Sequence, residues 1–180
     1  NIFLCSFYQH KMLAVSDITS GCFVYQCQRR SNEDRYQIKQ VGPFQYYAVF
    51  DGHGCKFPDE KQENVHVANY CQDNLHVRLA TTLCEDKLDD TNYVTETIKN
   101  IFVDFDKEML AKNLQYGSCC TIVLLDKNRK RLYQINLGDS RSYVIDTSID
   151  MGEYGDVTFT VTEDHNCRSQ VEIDRSSIPK

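Results

Sequence analysis

No stretch of this chain approaches the roughly 20 consecutive apolar residues that a membrane-spanning helix needs, so its sequence offers no transmembrane helix. Its nine cysteines, Cys5, Cys22, Cys27, Cys55, Cys71, Cys84, Cys119, Cys120 and Cys167, include no Cys-x-x-Cys pair. That excludes the usual zinc spacing, and an odd, scattered set does not make a disulfide framework. Buried or half-buried free thiols in a reducing compartment are expected instead. There is no Asn-x-Ser/Thr sequon. Residues 1–15 mix Phe and Leu with Gln9, His10 and Lys11 and do not read as a signal peptide. An intracellular protein, cytoplasmic or nuclear, is expected. Positive charge is not in excess. The net charge of -6 gives no reason to expect nucleic acid or an anionic membrane as a partner, and it suits a site that holds cations. No internal repeat, linker or low-complexity tract interrupts the chain.

What is present suits one domain. The chain has 180 residues, 41% of them apolar and 26% charged, a balance typical of folded globular proteins. It opens on Asn1 rather than Met, so it is expected either to be an excerpt of something longer or to begin biologically nearer Met12. Phe23–Gln28 reads as a strand, followed by the densely charged Arg29–Arg35, and Tyr36–Lys39 as resumed strand. Gly42-Pro43 is a turn signal. Phe44–Phe50, rich in aromatics and Val, is a strand expected to stop at a tight bend made by Asp51-Gly52-His53-Gly54. Val65, Ala68, Cys71, Leu75, Leu79 and Leu83 then recur at helical spacing. Asp89-Asp90-Thr91 offers a cap for a second helix with Val94, Ile98, Ile101, Phe105 and Met109 on its apolar face. Beyond Gly117 the pattern returns to strands: Ser118–Leu125, a polar turn over Asp126–Lys130, Arg131–Leu137, Ser142–Ile145 and Val157–Thr162. Strands, two long helices and more strands indicate an α+β layered fold with antiparallel sheets. The segment Ile149–Asp156 has no functional account.

Several acidic residues stand where core segments end. Glu33 and Asp34 close the charged segment, Asp51 follows a buried strand, and Asp139 lies between two strands. Carboxylates brought together repel unless protons or cations offset the charge. Oxygen-rich sites of this kind select Mg²⁺ or Mn²⁺. Two such ions about 3.5–4 Å apart activate a water for in-line attack on phosphorus. Arg29 suits the grip on phosphate oxygens and His53 the role of general acid. Singly, each has a plainer explanation: Asp-Gly is common at turns, Glu33-Asp34 suits a solvated loop, Asp139 a hairpin cap, His53 a polar loop and Arg29 surface charge.

Together they form a pattern. Arg29-x-x-x-Glu33-Asp34, Val49-Phe50-Asp51-Gly52-His53-Gly54, Tyr116-Gly117-Ser118, Asn136-Leu137-Gly138-Asp139-Ser140-Arg141 and Thr162-x-Asp164-His165 occur in that order across residues 21–172. This series resembles the successive motifs of the type-2C (PPM) metal-dependent protein serine/threonine phosphatases. The resemblance implies a four-layer α-β-β-α sandwich of two antiparallel sheets, incomplete at the C-terminus. Residues 21–180 would be the first two-thirds of that domain, and residues 1–20 an N-terminal extension or first strand. It implies removal of phosphate from phosphoserine and phosphothreonine with two Mn²⁺ or Mg²⁺ ions and room for a third. Asp51 would bridge the metals, Gly52 would offer its carbonyl, Glu33 would lie in the metal shell directly or through a water with Asp34 supporting it, and Asp139 would serve a third, weaker ion. Arg29 would bind the substrate phosphate and His53 would protonate the leaving group. A monomer acting on phosphorylated proteins follows from the same likeness.

The likeness has departures. Cys55 replaces a more usual small residue, and Cys119-Cys120 replace the small and hydroxyl residues that follow Gly-Ser in the family. Two further aspartates, from an Asp-Gly and a late Asp-Asn motif, would lie downstream of Lys180. A catalytically inactive relative, a pseudophosphatase or regulatory binding module with the same fold, is the alternative that this partial ligand set favours. A third reading is a related phosphohydrolase acting on small phosphoesters.

Overall fold

The computed structural model describes residues 6–11, 19–23, 32–54, 66–146, 158–166, 170 and 173–174. Its elements run β1 (Ser6–Lys11), β2 (Asp34–Val41), β3 (Phe44–His53), α1 (His66–Thr82), a 3₁₀ turn (Glu85–Lys87), α2 (Thr91–Ala111), β4 (Gly117–Asp126), β5 (Arg131–Leu137), β6 (Tyr143–Asp146) and β7 (Thr158–Val161). The first five strands form one antiparallel sheet in the order β1-β5-β4-β3-β2, and β6 pairs with β7 in a small second sheet. The fold is therefore α+β with antiparallel sheets, as the alternating sequence indicates.

Period-two alternation decides what each face of β3 does. Phe44, Tyr46, Ala48 and Phe50 are buried on one side, whereas Val49 on the other side is 47% exposed. In β4, at the centre of the sheet, Cys120, Ile122 and Leu124 share the buried face with Tyr133 and Ile135 of β5. Both helices cover that face. Leu75 and Leu79 of α1 and Val94, Ile98, Ile101, Phe102 and Phe105 of α2 join the same core. Each such aliphatic or aromatic side chain contributes about 1.5–3 kcal/mol by leaving water. Helix α2 starts where Asp90 accepts from the backbone N–H groups of Asn92 (2.9 Å) and Tyr93 (3.2 Å), the expected cap.

Helix α1 also lies along β2, the outermost strand. Gln72 donates to the Tyr36 carbonyl (2.7 Å), Arg35 to Asn69 (2.6 Å), and Lys39 Nζ lies 3.1 Å from His76 Nε2. One backbone carbonyl of that strand, that of Tyr36, is thus met by a helix side chain.

The face away from the helices carries polar residues that are also buried. Gln134 donates to the carbonyl and hydroxyl oxygens of Ser142 (3.1 and 3.0 Å), which ties β5 to the start of β6. Thr121 donates to Asn136 at 2.5 Å on the same face.

Three expectations need correction. Asp51-Gly52-His53 is not the bend: β3 runs through His53, paired with β4 along its whole length and with β2 as far as Asp51, and the chain turns only at Gly54, whose φ is +105°. A ladder with two neighbours outweighs the turn preference of Asp-Gly. Asp126 is not part of a solvated turn but the fully buried last residue of β4. Among the described cysteines, Cys71 and Cys120 are buried and Cys119 is half-buried, but Cys22 and Cys84 are exposed. Among the described residues the long helices lie on one face only, so the outer helical layer of the four-layer sandwich is not among them. The strand expected over Phe23–Gln28 falls almost wholly outside the described residues, as do Val65 and the segment Ile149–Asp156.

Candidate active site

Register builds the site at one end of the main sheet. Asp34, the first residue of β2, lies directly across the ladder from Asp51 of β3, and Asp51 lies across from Cys119 of β4. Opposed residues of antiparallel strands share a face, so the two carboxylates meet. Glu33 precedes the ladder, and its carbonyl accepts from the Gly52 N–H at 3.2 Å. Gly52 itself is buried. Asp139 approaches from the β5–β6 turn, where its Oδ1 accepts from Cys119 Sγ at 3.3 Å.

These contacts push the Asp51 carboxyl above its ordinary range. Partial burial is the largest cause, followed by the charge of Asp34, a hydrogen bond between the two carboxyls, and the charge of Asp139, while His53 pulls the other way. Carboxylates brought this close repel unless a proton or a cation offsets the charge. A hard cation satisfies the same oxygens in that proton's place, so this donor set fits Mg²⁺ or Mn²⁺ better than a softer ion. The fit is partial. Among the described residues no three His, Cys, Asp or Glu side chains gather closely enough to hold a metal ion on their own.

Neighbours outside the acidic set fix it in place. Arg35 donates from Nη1 to the carbonyls of Asn32 (3.0 Å) and Asp34 (2.8 Å) while its Nε reaches Asn69 on α1, which clamps the Glu33-Asp34 segment to the helix. Asn32 Oδ1 accepts from the Asp34 N–H at 2.9 Å. The Asp139 turn is held from below by Asn136, whose Nδ2 donates to the carbonyls of Gly138 (3.0 Å) and Glu163 (2.9 Å). The His165 N–H also donates to Gly138 (2.8 Å). Arg141 grips Asp164 with two bonds of 2.6 and 2.5 Å, which holds the Asp164 carboxyl below its ordinary range. The motifs around Asp139 and Asp164-His165 are therefore one braced unit. Gly138 has a φ of +97°, and a Cβ there would lie 2.4 Å from Cys119 Sγ, so both backbone and space require glycine.

His53 ends β3 opposite Gly117, the first residue of β4. It lines one end of a largely apolar cavity of about 290 Å³, together with Leu75, Phe102, Phe105, Leu114 and Leu137. Of the residues singled out from the sequence, Glu33, Asp34, Asp51, Gly52, His53 and Asp139 fall at this end of the sheet, and Arg29 lies outside the described residues. Sequence reasoning passed over Arg35, Asn136 and the contact of Cys119 with Asp139. The β3–β4 register, which sets Cys119 directly opposite Asp51, is what reveals it. Arg35 had only its place beside Glu33-Asp34 to mark it.

Comparison with known proteins adds an independent result. The family model described as "Protein phosphatase 2C" matches residues 15–178. Over 97 residues the chain is 28% identical to "Probable protein phosphatase 2C 32" of Oryza sativa subsp. japonica, a match that covers 54% of this chain and 22% of that protein. Among solved structures, serine/threonine phosphatase Stp1 from Staphylococcus aureus aligns with a TM-score of 0.53 at 18% identity, covering 99% of this chain and 60% of that one. A bacterial serine phosphatase variant aligns at 0.52 and 18% identity, covering 98% and 61%. Those two likenesses speak for the fold. The chain spans about a fifth of the length of its rice relative and about three-fifths of the bacterial structures. The motif order, the carboxylates at the sheet end and the family match over nearly the whole length agree: the chain belongs to the protein phosphatase 2C family.

Proposed function

We propose that this chain is the metal-binding part of a protein serine/threonine phosphatase that hydrolyses phosphoserine and phosphothreonine with Mn²⁺ or Mg²⁺. The observation that carries this reading is the register that sets Asp34 directly across from Asp51 at the sheet end, with Asp139 held beside them by Cys119. Asp51, the Gly52 carbonyl, Glu33 and Asp34 would hold two ions, and Asp139 a third. Bound there, such ions supply an activated water and neutralise phosphate charge. The chain's own residues do the rest. Arg29 orients the phosphate oxygens through a guanidinium fork. The water oxygen bonds to phosphorus as the ester P–O bond breaks, and its electron pair leaves on the seryl or threonyl oxygen. His53 gives that oxygen a proton, and the proton shed by the attacking water restores the balance. The Arg35 clamp and the braced Asp139 turn keep the carboxylates in place during turnover. A phosphorylated protein is the proposed substrate and an intracellular site the proposed location. Among the described residues no helix is long and apolar enough to cross a membrane.

A second reading is a binding module that keeps the fold without hydrolysis. The specific observation in its favour is that no three ligand side chains converge among the described residues. The deciding experiment uses the full-length gene product and measures Mn²⁺ binding by calorimetry beside hydrolysis of a phosphoserine peptide. Metal-dependent hydrolysis removes the module reading. Metal binding without hydrolysis, or neither, removes the enzyme.

A further inference from the structure

Gly117 faces His53 across the ladder, and its missing side chain has a specific tenant. A Cβ built on Gly117 would lie 2.4 Å from His53 Cε1, 2.7 Å from Nε2 and 3.2 Å from Nδ1. All three atoms belong to one imidazole. Gly117 is not among the glycines with positive φ, so its backbone tolerates any residue. Glycine is needed here for space alone, which distinguishes it from Gly138. The neighbouring turn is strained as well: Tyr116 has φ of 73°, a left-handed conformation that costs a bulky residue on the order of 1–3 kcal/mol. The Tyr116 ring and Cβ stand 3.5 Å from the point where a Cβ on Gly54 would sit. The Tyr116-Gly117 turn is therefore stacked on His53-Gly54.

We propose that Gly117 is a positioning residue for catalysis. It is the seat that lets the His53 imidazole lie over the β4 backbone, beside Asp51 and within reach of the departing oxygen. The inference rests on the phosphatase reading above. His53 is exposed at the end of its strand, so a methyl group at position 117 displaces the ring rather than the sheet. The fold survives, and the orientation of the acid does not. The loss is selective in consequence. A seryl oxygen leaves as a poor anion and needs a proton as the P–O bond breaks. p-Nitrophenolate is a stable anion and leaves without one.

The test compares wild type, Gly117→Ala, His53→Ala and the double variant of the full-length protein with Mn²⁺, on a phosphoserine peptide and on p-nitrophenyl phosphate. Expected for Gly117→Ala is a kcat loss of about 10-fold or more on the peptide, part of the roughly 10²–10⁴ that a general acid supplies in full. On p-nitrophenyl phosphate the loss should stay below about 3-fold, with KM little changed on both substrates. His53→Ala should show the same selectivity, and adding Gly117→Ala to it should cost nothing more, because two changes that remove one interaction do not add. Equal losses on both substrates, or losses that multiply in the double variant, overturn the proposal. If Gly117→Ala melts below the assay temperature, His53→Gly/Gly117→Ala decides. In that variant the ring that meets the new methyl is gone, so recovered melting supports the seat and continued unfolding overturns it. A wild type that hydrolyses neither substrate brings down the phosphatase reading itself, and this inference with it.

Discussion

The two ends of the main sheet handle negative charge in opposite ways. At one end Asp126, fully buried as the last residue of β4, is answered within the chain. Its Oδ1 accepts from the Arg129 N–H at 3.0 Å and its Oδ2 from Arg129 Nη1 at 3.1 Å. Arg129 Nε reaches Asp89 at 3.1 Å, and Arg131 donates to the carbonyls of Leu88 and Asp89, both at 3.0 Å. At the other end Asp51 meets Asp34 and Asp139, more carboxylates, and no Arg or Lys pairs with it among the described residues. The same strands, β3 and β4, carry both ends. One aspartate staples a hairpin to the start of α2. The other is left in a state that only a proton or a cation relieves, and groups in that condition mark functional sites. Burial of a carboxylate alone does not separate the two roles; the charge of its partners does.

Substitutions should break this contrast in graded steps. The largest effect is expected from Asp51→Asn in the full-length protein. On the proposed role of Asp51 as a metal ligand, hydrolysis of a phosphoserine peptide should fall by about 10³-fold or more, because such a ligand governs several kcal/mol of barrier. The unfolding midpoint should hold or rise, because a repelling charge has gone. Retained activity would remove Asp51 from the site. Next comes Arg129→Met, which strands the Asp126 carboxylate. A loss of about 2 kcal/mol in urea denaturation is expected, below the range for a fully buried pair because Arg129 is 20% exposed, and Mn²⁺ affinity should not change. Asp90→Ala removes the α2 cap and should cost about 1 kcal/mol by the same measurement, again without effect on metal binding.

The smallest effect is in pH. A carboxyl raised in the folded state destabilises the fold above its folded pKa and stops doing so once it is protonated. With metal chelated, Asp51→Asn should therefore be more stable than wild type near neutrality. The gap should close as pH falls through the raised pKa of Asp51 towards its ordinary value. Asp164 has the opposite sign, since its carboxyl is lowered by Arg141. Its contribution is present above the ordinary aspartate range and fades as pH falls through the lowered value, so Asp164→Asn should flatten the acid limb. Urea midpoints across pH for wild type and both variants check both signs, and a gap that widens in acid would contradict the Asp51 assignment.

Much of this arrangement was legible in the sequence because local and global patterns agree there. Alternation in Phe44–Phe50, helical spacing from Val94 to Phe105 and the cap at Asp90 each specify their element without help. The motif order specified the family. Register was less legible. Asp51-Gly52-His53 reads locally as a turn, and only pairing with Asp34 and Cys119, residues far apart in the chain, keeps it extended. The same long-range pairing hid the burial of Asp126, the contact between Cys119 and Asp139, and the seat that Gly117 makes for His53. Arg35 showed nothing in sequence beyond its charge, because its clamp depends on where α1 delivers Asn69.

The side chains that α1 lays along β2 have a consequence for assembly. An outermost strand normally presents free carbonyl and amide groups to any extended segment it meets, a route to sheet growth between molecules. Here Gln72 already occupies the Tyr36 carbonyl, and Arg35 and Lys39 turn charge toward Asn69 and His76. A second chain adding along β2 would first have to peel these contacts from the helix. On that border, among the described residues, the helix that also completes the core takes up one of the carbonyls an added strand would need.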